Sequence, residues 1–415
     1  MSPATALNRD RVRELFDLRG AYLSQTGGDF DEDPYPVWHR LRAEAEIHPG
    51  TVHELTGYPG QALFSGLPHP DREHFSAFSF AACDAAYRNP EVFASAPDVV
   101  DPNHGRVGAQ NSMLSMGGAQ HRRYRALVQP SFVPAKAQWW IRNWIDQAVH
   151  ELIDGFVDDG RAELNVDFCA AIPVLTITGS FGVPVDQALE IRAALGNPDT
   201  VVEMIRPLVA QRRESPRDDL LSVLVQAELP GDDGSTQRLT DAEIYSFAVL
   251  LLTAGSGTTW KQMGITLTAL LQRPEILHAV AADRSLLRPA IEEALRWQPT
   301  DPMFSRYVTR DIDFHGMHLP AGSVLHMCVG AANRDPERWD NPDDYDIARR
   351  VRPSFAFGSG AHACMGMHVA RAEMLTGIGA LLDRLPNLRL DPSAQPPRFI
   401  GMYERGATEI PVLFG

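Results

Sequence analysis

The stretch FAFGSGAHACMG, from Phe355 to Gly366, decides how this chain is interpreted. It places Cys364, one of only four cysteines, among three glycines and directly before the helical pattern MGMHVARAEMLTGIGALLDRL. The other cysteines, Cys83, Cys169 and Cys328, have the apolar neighbours that are typical of buried structural cysteines. The neighbours of Cys364 are different, and they indicate a functional role.

Four interpretations of Cys364 can be compared. A zinc site needs four ligands, whereas His362, Cys364 and His368 supply three. His362 could be the base for a nucleophilic cysteine, but the surrounding sequence matches no protease signature, and an inert buried cysteine would not need the glycines. A metal thiolate on a flat cofactor fits best, because a helix start stabilises the thiolate and glycines let the backbone approach a planar ring. Haem with an axial cysteine thiolate has these requirements.

The composition predicts a single domain, residues 1–415, in a cytoplasmic protein. Hydrophobic residues make up 44% of the chain, and glycines and prolines are spread without a linker or repeat. The 53 acidic and 38 basic residues give a net charge of −15, which argues against nucleic-acid binding. The longest apolar run, FAVLLLTA, is far shorter than the roughly 20 residues that span a bilayer, so no membrane association is expected. The N-terminus lacks a signal-peptide core, and the unpaired cysteines are typical of a reducing compartment.

Helical periodicity dominates, so the predicted fold class is mainly α with a minor β region. The longest helical pattern runs from Leu239 to Pro274 and opens with a capping box, Thr240 to Glu243. Its centre, AGSGTT, holds two glycines, and each costs about 1 kcal/mol relative to alanine inside a helix. Either these small residues allow a close helix crossing, or the helix opens and its hydroxyls and freed carbonyls face a ligand. DIDFHGMHLPAGSVL is predicted to contain a hairpin, and TEIPVLF a terminal strand.

Five motifs follow one another along the chain. Phe357–Gly366 keeps the pattern Phe-x-x-Gly-x-His-x-Cys-x-Gly at every fixed position, and HRRYR, AGSGTT, EALR and ANRDPERWDNPDDYD precede it in that order. Together they resemble the cytochrome P-450 family, and the resemblance covers nearly the whole chain. It implies the P-450 fold, heme b as cofactor and the activity of a soluble, bacterial-type haem-thiolate monooxygenase.

The resemblance also implies roles for individual residues. Cys364 would be the axial ligand of the iron. Thr258 would contact bound dioxygen and pass protons to it, with Ser256 and Gly257 beside it, although a helical threonine often only bonds its own i−4 carbonyl. The remaining haem contacts would be His121, Arg125, Ala254, Gly255, Arg306, Phe357, Gly358, His362 and Gly366. The basic residues among them would pair with the haem propionates, whereas without the resemblance His121 and Arg125 would be a solvated basic face.

Glu293 and Arg296 lie three residues apart on a predicted helix. Such spacing is typical of a surface ion pair worth a few tenths of a kcal/mol. The resemblance implies instead a buried structural pair that shapes the cysteine loop together with a third arginine. Arg338 and Arg349 both remain candidates for that third position.

Two features depart from the family pattern. Gly257 stands where the family usually has aspartate or glutamate, so the usual carboxylate of the proton relay is absent. The stretch between FGVP and DDLLSVL is short for the family's two lid helices, which predicts a truncated lid or a more open pocket. By position alone, the candidate substrate contacts are Met113, Leu114, Met116, Met303, Phe304 and Tyr403.

The predicted reaction is the insertion of one oxygen atom from O2 into a C–H bond of an apolar small molecule: a terpenoid, a steroid, a fatty-acyl chain or an aromatic. No flavin or iron–sulfur motif accompanies the chain, so electrons are expected from a ferredoxin and its NAD(P)H-dependent reductase, delivered to a monomer. Arg122 and Arg123 are candidates for the docking surface. The alternatives are a peroxygenase driven by hydrogen peroxide, which the missing acid favours, and a haem-binding sensor or scaffold. Thr258 argues against both.

Overall fold

The structure is a computed structural model that describes residues 7–58, 69–95, 112–230 and 236–415. Helices make up most of it, which confirms the predicted fold class. The α-helices are Arg9–Leu15 (α1), Leu18–Gln25 (α2), Tyr35–Glu44 (α3), Val52–Thr56 (α4), Phe80–Arg88 (α5), Gly118–Val128 (α6), Ala137–Trp140 (α7), Asp146–Asp154 (α8), Ala171–Ser180 (α9), Ala188–Ala194 (α10), Pro198–Glu214 (α11), Leu220–Gln226 (α12), Asp241–Gly257 (α13), Thr259–Leu271 (α14), Pro274–Ala282 (α15), Leu287–Trp297 (α16), Val329–Ala332 (α17) and Met367–Arg384 (α18).

The strands are short and form small sheets. They are Ile47–Pro49 (β1), His74–Ala77 (β2), Phe93–Ala94 (β3), Arg161–Glu163 (β4), Glu228–Pro230 (β5), Thr236–Arg238 (β6), Phe304–Val308 (β7), Ile312–Phe314 (β8), Met317–Leu319 (β9), Val324–Met327 (β10), Arg389–Leu390 (β11), Phe399–Ile400 (β12), Gly406–Ala407 (β13) and Pro411–Leu413 (β14). The largest sheet has the order β1–β2–β10–β7–β3, in which β2 and β10 are parallel and the other neighbours antiparallel. The predicted hairpin is β8–β9, and the predicted terminal strand is β14.

The long central helix is interrupted, which differs from the single helix that the pattern predicted. Its N-terminal capping box is present: the Glu243 amide donates to Thr240 Oγ1 at 3.3 Å, and the Thr240 amide donates to Glu243 Oε2 at 2.8 Å. α13 ends at Gly257, Thr258 lies between the two segments, and α14 continues from Thr259. The opening therefore lies within the AGSGTT segment, where the sequence had suggested one.

α14 is the buried centre of the fold. Every residue from Thr259 to Leu271 is buried, and α16 and α18 pack against this helix. Met374 and Ile378 of α18 are fully buried in the same core. This packing fixes α18, and the loop that precedes α18 carries Cys364.

A buried ion network holds α16 to the segment before that loop. Arg296 donates to Glu293 Oε2 at 2.8 Å and to Glu293 Oε1 at 2.6 Å, and Arg349 Nε donates to Glu293 Oε1 at 3.0 Å. Arg296 also donates to the carbonyl oxygens of Asn333 and Pro342. Glu293 and Arg296 are 5% and 3% exposed, so the pair is buried as the resemblance implied, and the third arginine is Arg349.

The stretch that was expected to be short for two lid helices does form two helices between FGVP and DDLLSVL: α10 has 7 residues and α11 has 17. A more open pocket stays a prediction. Asn197 caps α11 by accepting a hydrogen bond from the Thr200 amide, and Pro198 follows as its first residue. Within the described ranges no single helix is long and apolar enough to cross a membrane; the bent pair Asn165–Ser180 and Val185–Ala194 passes by length and composition alone.

Candidate active site

A cavity of about 310 Å³ lies where the predicted motifs meet. Its lining comes from α13 and α14, from the Cys364 loop and α18, and from α6, α9 and β7. Apolar side chains cover much of the lining: Ile177, Leu250, Leu251, Leu295, Phe304, Val369 and Met374. This is the arrangement of a binding site for an apolar group with a few placed polar contacts.

Cys364 is one of the residues that line this cavity. It is exposed, whereas Cys83, Cys169 and Cys328 are buried free cysteines as predicted. Desolvation raises the pKa of the Cys364 thiol, and a hydrogen bond from the Gly366 amide lowers it. This amide lies at the start of α18, so the helix supplies a donor that stabilises the thiolate.

The shape of the cysteine loop depends on its own glycines. Gly360 has φ +73°, and a Cβ at this position would lie 2.8 Å from the carbonyl oxygen of Tyr87. The Cys364 amide donates to the Phe357 carbonyl at 2.8 Å, which closes the loop on itself. Phe357, Gly358 and Gly366 line the cavity as the resemblance implied.

Four basic side chains surround one side of the cavity: His121, Arg125, Arg306 and His362. The rings of His121 and His362 stack with centroids 3.9 Å apart, and Arg125 Nη2 donates to the Ala363 carbonyl at 2.8 Å. Burial lowers the pKa of all four, that of His362 to about 3. Within the described part of the chain no carboxylate pairs with any of them.

The Tyr87 hydroxyl is a fifth polar group at the cavity, and it is buried without a hydrogen-bond partner among the described residues. The Arg306 guanidinium lies 5.4 Å from the centre of the Tyr87 ring. An anionic group bound here would satisfy these donors.

The two glycines of the central helix differ in how much space surrounds them. A Cβ at Gly255 would lie 2.7 Å from Ile177 Cγ1, so Gly255 allows the close crossing of α9 and α13. Gly255 also lines the cavity, together with Ala254 and Thr258. At Gly257 a Cβ would meet only Arg192 Nη1, at 4.0 Å.

The predicted catalytic group is only partly assembled. Thr258 faces the cavity, and none of the described residues hydrogen-bonds to its hydroxyl, so the i−4 bond typical of a helical threonine is not made. Ser256 is 2% exposed and donates to the Leu252 carbonyl at 2.7 Å. Ser256 and Gly257 are not among the residues that line the cavity, and their catalytic role beside Thr258 stays a prediction.

Half of the candidate substrate contacts reach the cavity. Met113, Leu114 and Phe304 line it. Met116 lines a neighbouring cavity, Met303 is a core residue at 3% exposure, and Tyr403 packs against the core without lining the cavity. These three do not line this cavity, and their role as substrate contacts stays a prediction. Residues 105–111 of the predicted pocket loop lie outside the described residues.

Two acids line the cavity that the sequence analysis missed. Glu373 of α18 is 3% exposed, and its burial raises the pKa of its carboxyl to about 8. Asp301 lies between α16 and β7, where desolvation and the charge of Glu404 raise its pKa to about 7. The sequence around Glu373 is that of an ordinary helix and gives no sign of a cavity position. Asp301 could have been predicted only because it stands shortly before the candidate contacts Met303 and Phe304.

Known proteins are similar to this chain in sequence and in fold. A sequence model of the cytochrome P-450 family matches residues 197–403. The P-450 monooxygenase PikC of Streptomyces venezuelae is 31% identical over 392 residues, covering 89% of this chain and 88% of PikC. This chain belongs to the cytochrome P-450 family. The biotin biosynthesis P-450 of Bacillus subtilis is 29% identical and covers 88% of this chain and 93% of its own. The P-450 PksS of the B. subtilis bacillaene polyketide synthase has a TM-score of 0.79 at 25% identity, covering 92% of this chain and 97% of its own.

The P-450 fold and oxidoreductase class follow from this membership. The family uses haem whose iron is held by a cysteine thiolate, takes apolar substrates in general and receives electrons from redox partners. The residues present fit that cofactor. A thiol faces the cavity, and four basic side chains and the Tyr87 hydroxyl lack the anionic partner that haem propionates would supply.

Proposed function

We propose that this P-450 is a monooxygenase that inserts one oxygen atom from O2 into a C–H bond of a largely apolar molecule. It uses heme b held by Cys364, as a single domain and a monomer, with electrons from a ferredoxin and an NAD(P)H-dependent reductase. The observation that carries the proposal is that the exposed cysteine Cys364 and Thr258 line one and the same mostly apolar cavity.

Cys364 and the basic side chains would hold the cofactor. The Gly366 amide stabilises the thiolate, and His121, Arg125, Arg306 and His362 would pair with the propionates. When bound, thiolate-ligated haem supplies dioxygen activation with cleavage of the O–O bond. The lining of Ile177, Leu250 and Leu251 would exclude water and orient the substrate against it.

Proton supply needs a group other than an acid at position 257. Burial raises the pKa of the Glu373 carboxyl group to about 8, and it outweighs the hydroxyl groups of Thr176 and Thr259, which interact with the carboxyl group and lower its pKa. With that pKa, Glu373 carries a proton at neutral pH. We therefore assign Glu373 as the proton reservoir, with Thr259 and Thr258 leading toward the reacting group.

Replacement of Cys364 tests the cofactor assignment. Cys364→Ser should abolish the strongly red-shifted Soret band that the reduced carbonyl complex of a haem thiolate shows. Retention of that band in the variant would refute Cys364 as the ligand.

Two further variants test the relay. Thr258→Ala and Glu373→Gln should each lower the ratio of product to NAD(P)H consumed, with peroxide released instead. Thr268→Ala is a matched control, because Thr268 is a buried α14 threonine outside the cavity.

The absence of an acid at 257 favours a peroxygenase as the second candidate. Full turnover with peroxide alone, together with an unchanged ratio in Thr258→Ala, would establish it in place of the monooxygenase.

The redox partner would dock on the basic start of the HRRYR helix. Arg122 is exposed on α6, the helix that also places His121 and Arg125 beside the cavity. An acidic ferredoxin would be steered to such a surface despite the net charge of −15. Arg122→Glu should raise the ferredoxin concentration that gives half-maximal turnover, and the difference from wild type should shrink at high salt.

A further inference from the structure

Asp301 is an acidic residue in the lining of the cavity. It lines the cavity in the segment between α16 and β7, beside the lining residues Thr300 and Phe304. Thr300 is fixed by two hydrogen bonds: its amide donates to Gln262 Oε1 at 2.9 Å, and its hydroxyl donates to the Arg405 carbonyl at 2.7 Å. The backbone that carries Asp301 is therefore held in place beside the cavity.

The Asp301 carboxylate has no partner in the described part of the chain. None of those residues donates a hydrogen bond to it or forms a salt bridge with it. The cation that lowers its pKa, Lys261, is paired with Glu404. Arg306, on the following strand, lies over the Tyr87 ring instead.

A carboxyl group in this setting is costly unless something pairs with it. Desolvation and the like charge of Glu404 both disfavour its ionised form, and Lys261 compensates only in part. Buried charges in proteins are paired as a rule. Since the group faces a ligand cavity and the surrounding protein offers no donor, the missing partner is expected on the ligand.

We propose that the substrate of this P-450 carries a cationic nitrogen on a largely apolar skeleton, and that the Asp301 carboxylate binds that nitrogen and so determines substrate orientation. The proposal rests on the proposed function, because it names the substrate class of the same cavity. It narrows the expected ligands to those with a basic group near one end. A neutral terpenoid or steroid would leave Asp301 without a partner.

Three probes of equal chain length test this in the haem-loaded enzyme: octyltrimethylammonium, 1-octanol and octanoate. The quaternary nitrogen cannot ligate iron, so its binding reports the cavity alone. Dissociation constants come from calorimetry and from the spin-state shift of the Soret band. We expect the ammonium probe to bind about tenfold or more tightly than octanol, because its charge, although it has no N–H to donate, is attracted to the Asp301 carboxylate; tenfold corresponds to about 1.4 kcal/mol.

Asp301→Asn keeps the shape of the side chain and removes its charge. It should weaken octyltrimethylammonium about tenfold and change octanol binding about twofold or less. Asp313→Asn, in the exposed β8–β9 hairpin, is the matched control and should change neither. Equal ammonium affinity in wild type and Asp301→Asn, or a wild-type preference for octanol or octanoate, would overturn the proposal.

The test separates this proposal from the proposed function. The reduced carbonyl spectrum reports the haem-thiolate centre in every variant, independently of the probes. An intact spectrum with no ammonium preference refutes the role of Asp301 alone. Should Asp301→Asn fail to fold, the ranking of the three probes in the wild type still decides the question.

Discussion

Glu293→Ala should destabilise the fold severely, because Glu293 is the acceptor for two buried arginines. The variant removes four hydrogen bonds: two from Arg296, one from Arg349 and one from the Asp346 amide at 3.0 Å. Breaking a buried pair by removing one partner costs about 3–5 kcal/mol, since the remaining charge stays buried. A whole domain is stable by about 5–15 kcal/mol, so this loss is a large fraction of the total.

Urea unfolding, followed by tryptophan fluorescence at fixed haem content, measures the effect. The control is Asp383→Asn: the Asp383 carboxylate pairs with Arg284 at 2.7 Å but is 65% exposed, and such pairs contribute about 1 kcal/mol or less. We expect Glu293→Ala to lower the unfolding midpoint several times more than Asp383→Asn does. Equal shifts in the two variants would refute the argument that the Glu293 network is structural.

Two further outcomes follow from the structure. Gly257→Asp should raise the ratio of product to NAD(P)H consumed, because the position has room for a side chain and Arg192 Nη1 lies near enough to pair with a carboxylate. Gly257→Asn is the control, and an equal ratio in the two variants would contradict this prediction. Burial lowers the pKa of His326 to about 3 from 6.5, so the stability that its neutral form supplies is present above pH 6.5 and lost as the pH falls toward 3. His326→Gln should reduce the fall in the free energy of unfolding over that range by up to about 1.4 kcal/mol per pH unit, whereas exposed His318→Gln should not; urea unfolding at several pH values measures this.

Local chemistry made parts of the fold predictable. The Thr240–Glu243 capping box, the β8–β9 hairpin and the helix after Cys364 each depend on residues close in sequence, and each is present. The break at Thr258 was harder to predict. An apolar run with two glycines is compatible with a continuous helix, and the interruption depends on how α13 and α14 pack against other elements.

In the candidate site too, features that depend on neighbouring residues were predictable and long-range contacts were not. The resemblance carried by the cysteine motif implied that Phe357, His362 and Cys364 contact one cofactor, and all three line one cavity. It could not decide between Arg338 and Arg349, because both precede the loop and only the three-dimensional path brings Arg349 Nε to Glu293. Arg338 instead donates to the Pro353 carbonyl at 3.1 Å. Long-range contacts of this kind leave no periodic signal in a single sequence.

The two cavity acids should act independently, although they share one cavity. Glu373 is surrounded by hydroxyl groups and holds a proton, whereas Asp301 is influenced by Glu404 and Lys261 and faces the ligand. If Glu373 delivers protons, Glu373→Gln lowers the ratio of product to NAD(P)H and leaves the affinity for octyltrimethylammonium unchanged. If Asp301 binds the substrate, Asp301→Asn lowers that affinity and leaves proton delivery intact once the cavity is saturated. The double variant should then lose the same free energy of octyltrimethylammonium binding as Asp301→Asn alone, because changes at sites without shared partners are additive. A coupling free energy above about 0.5 kcal/mol would show that one hydrogen-bond network serves both functions.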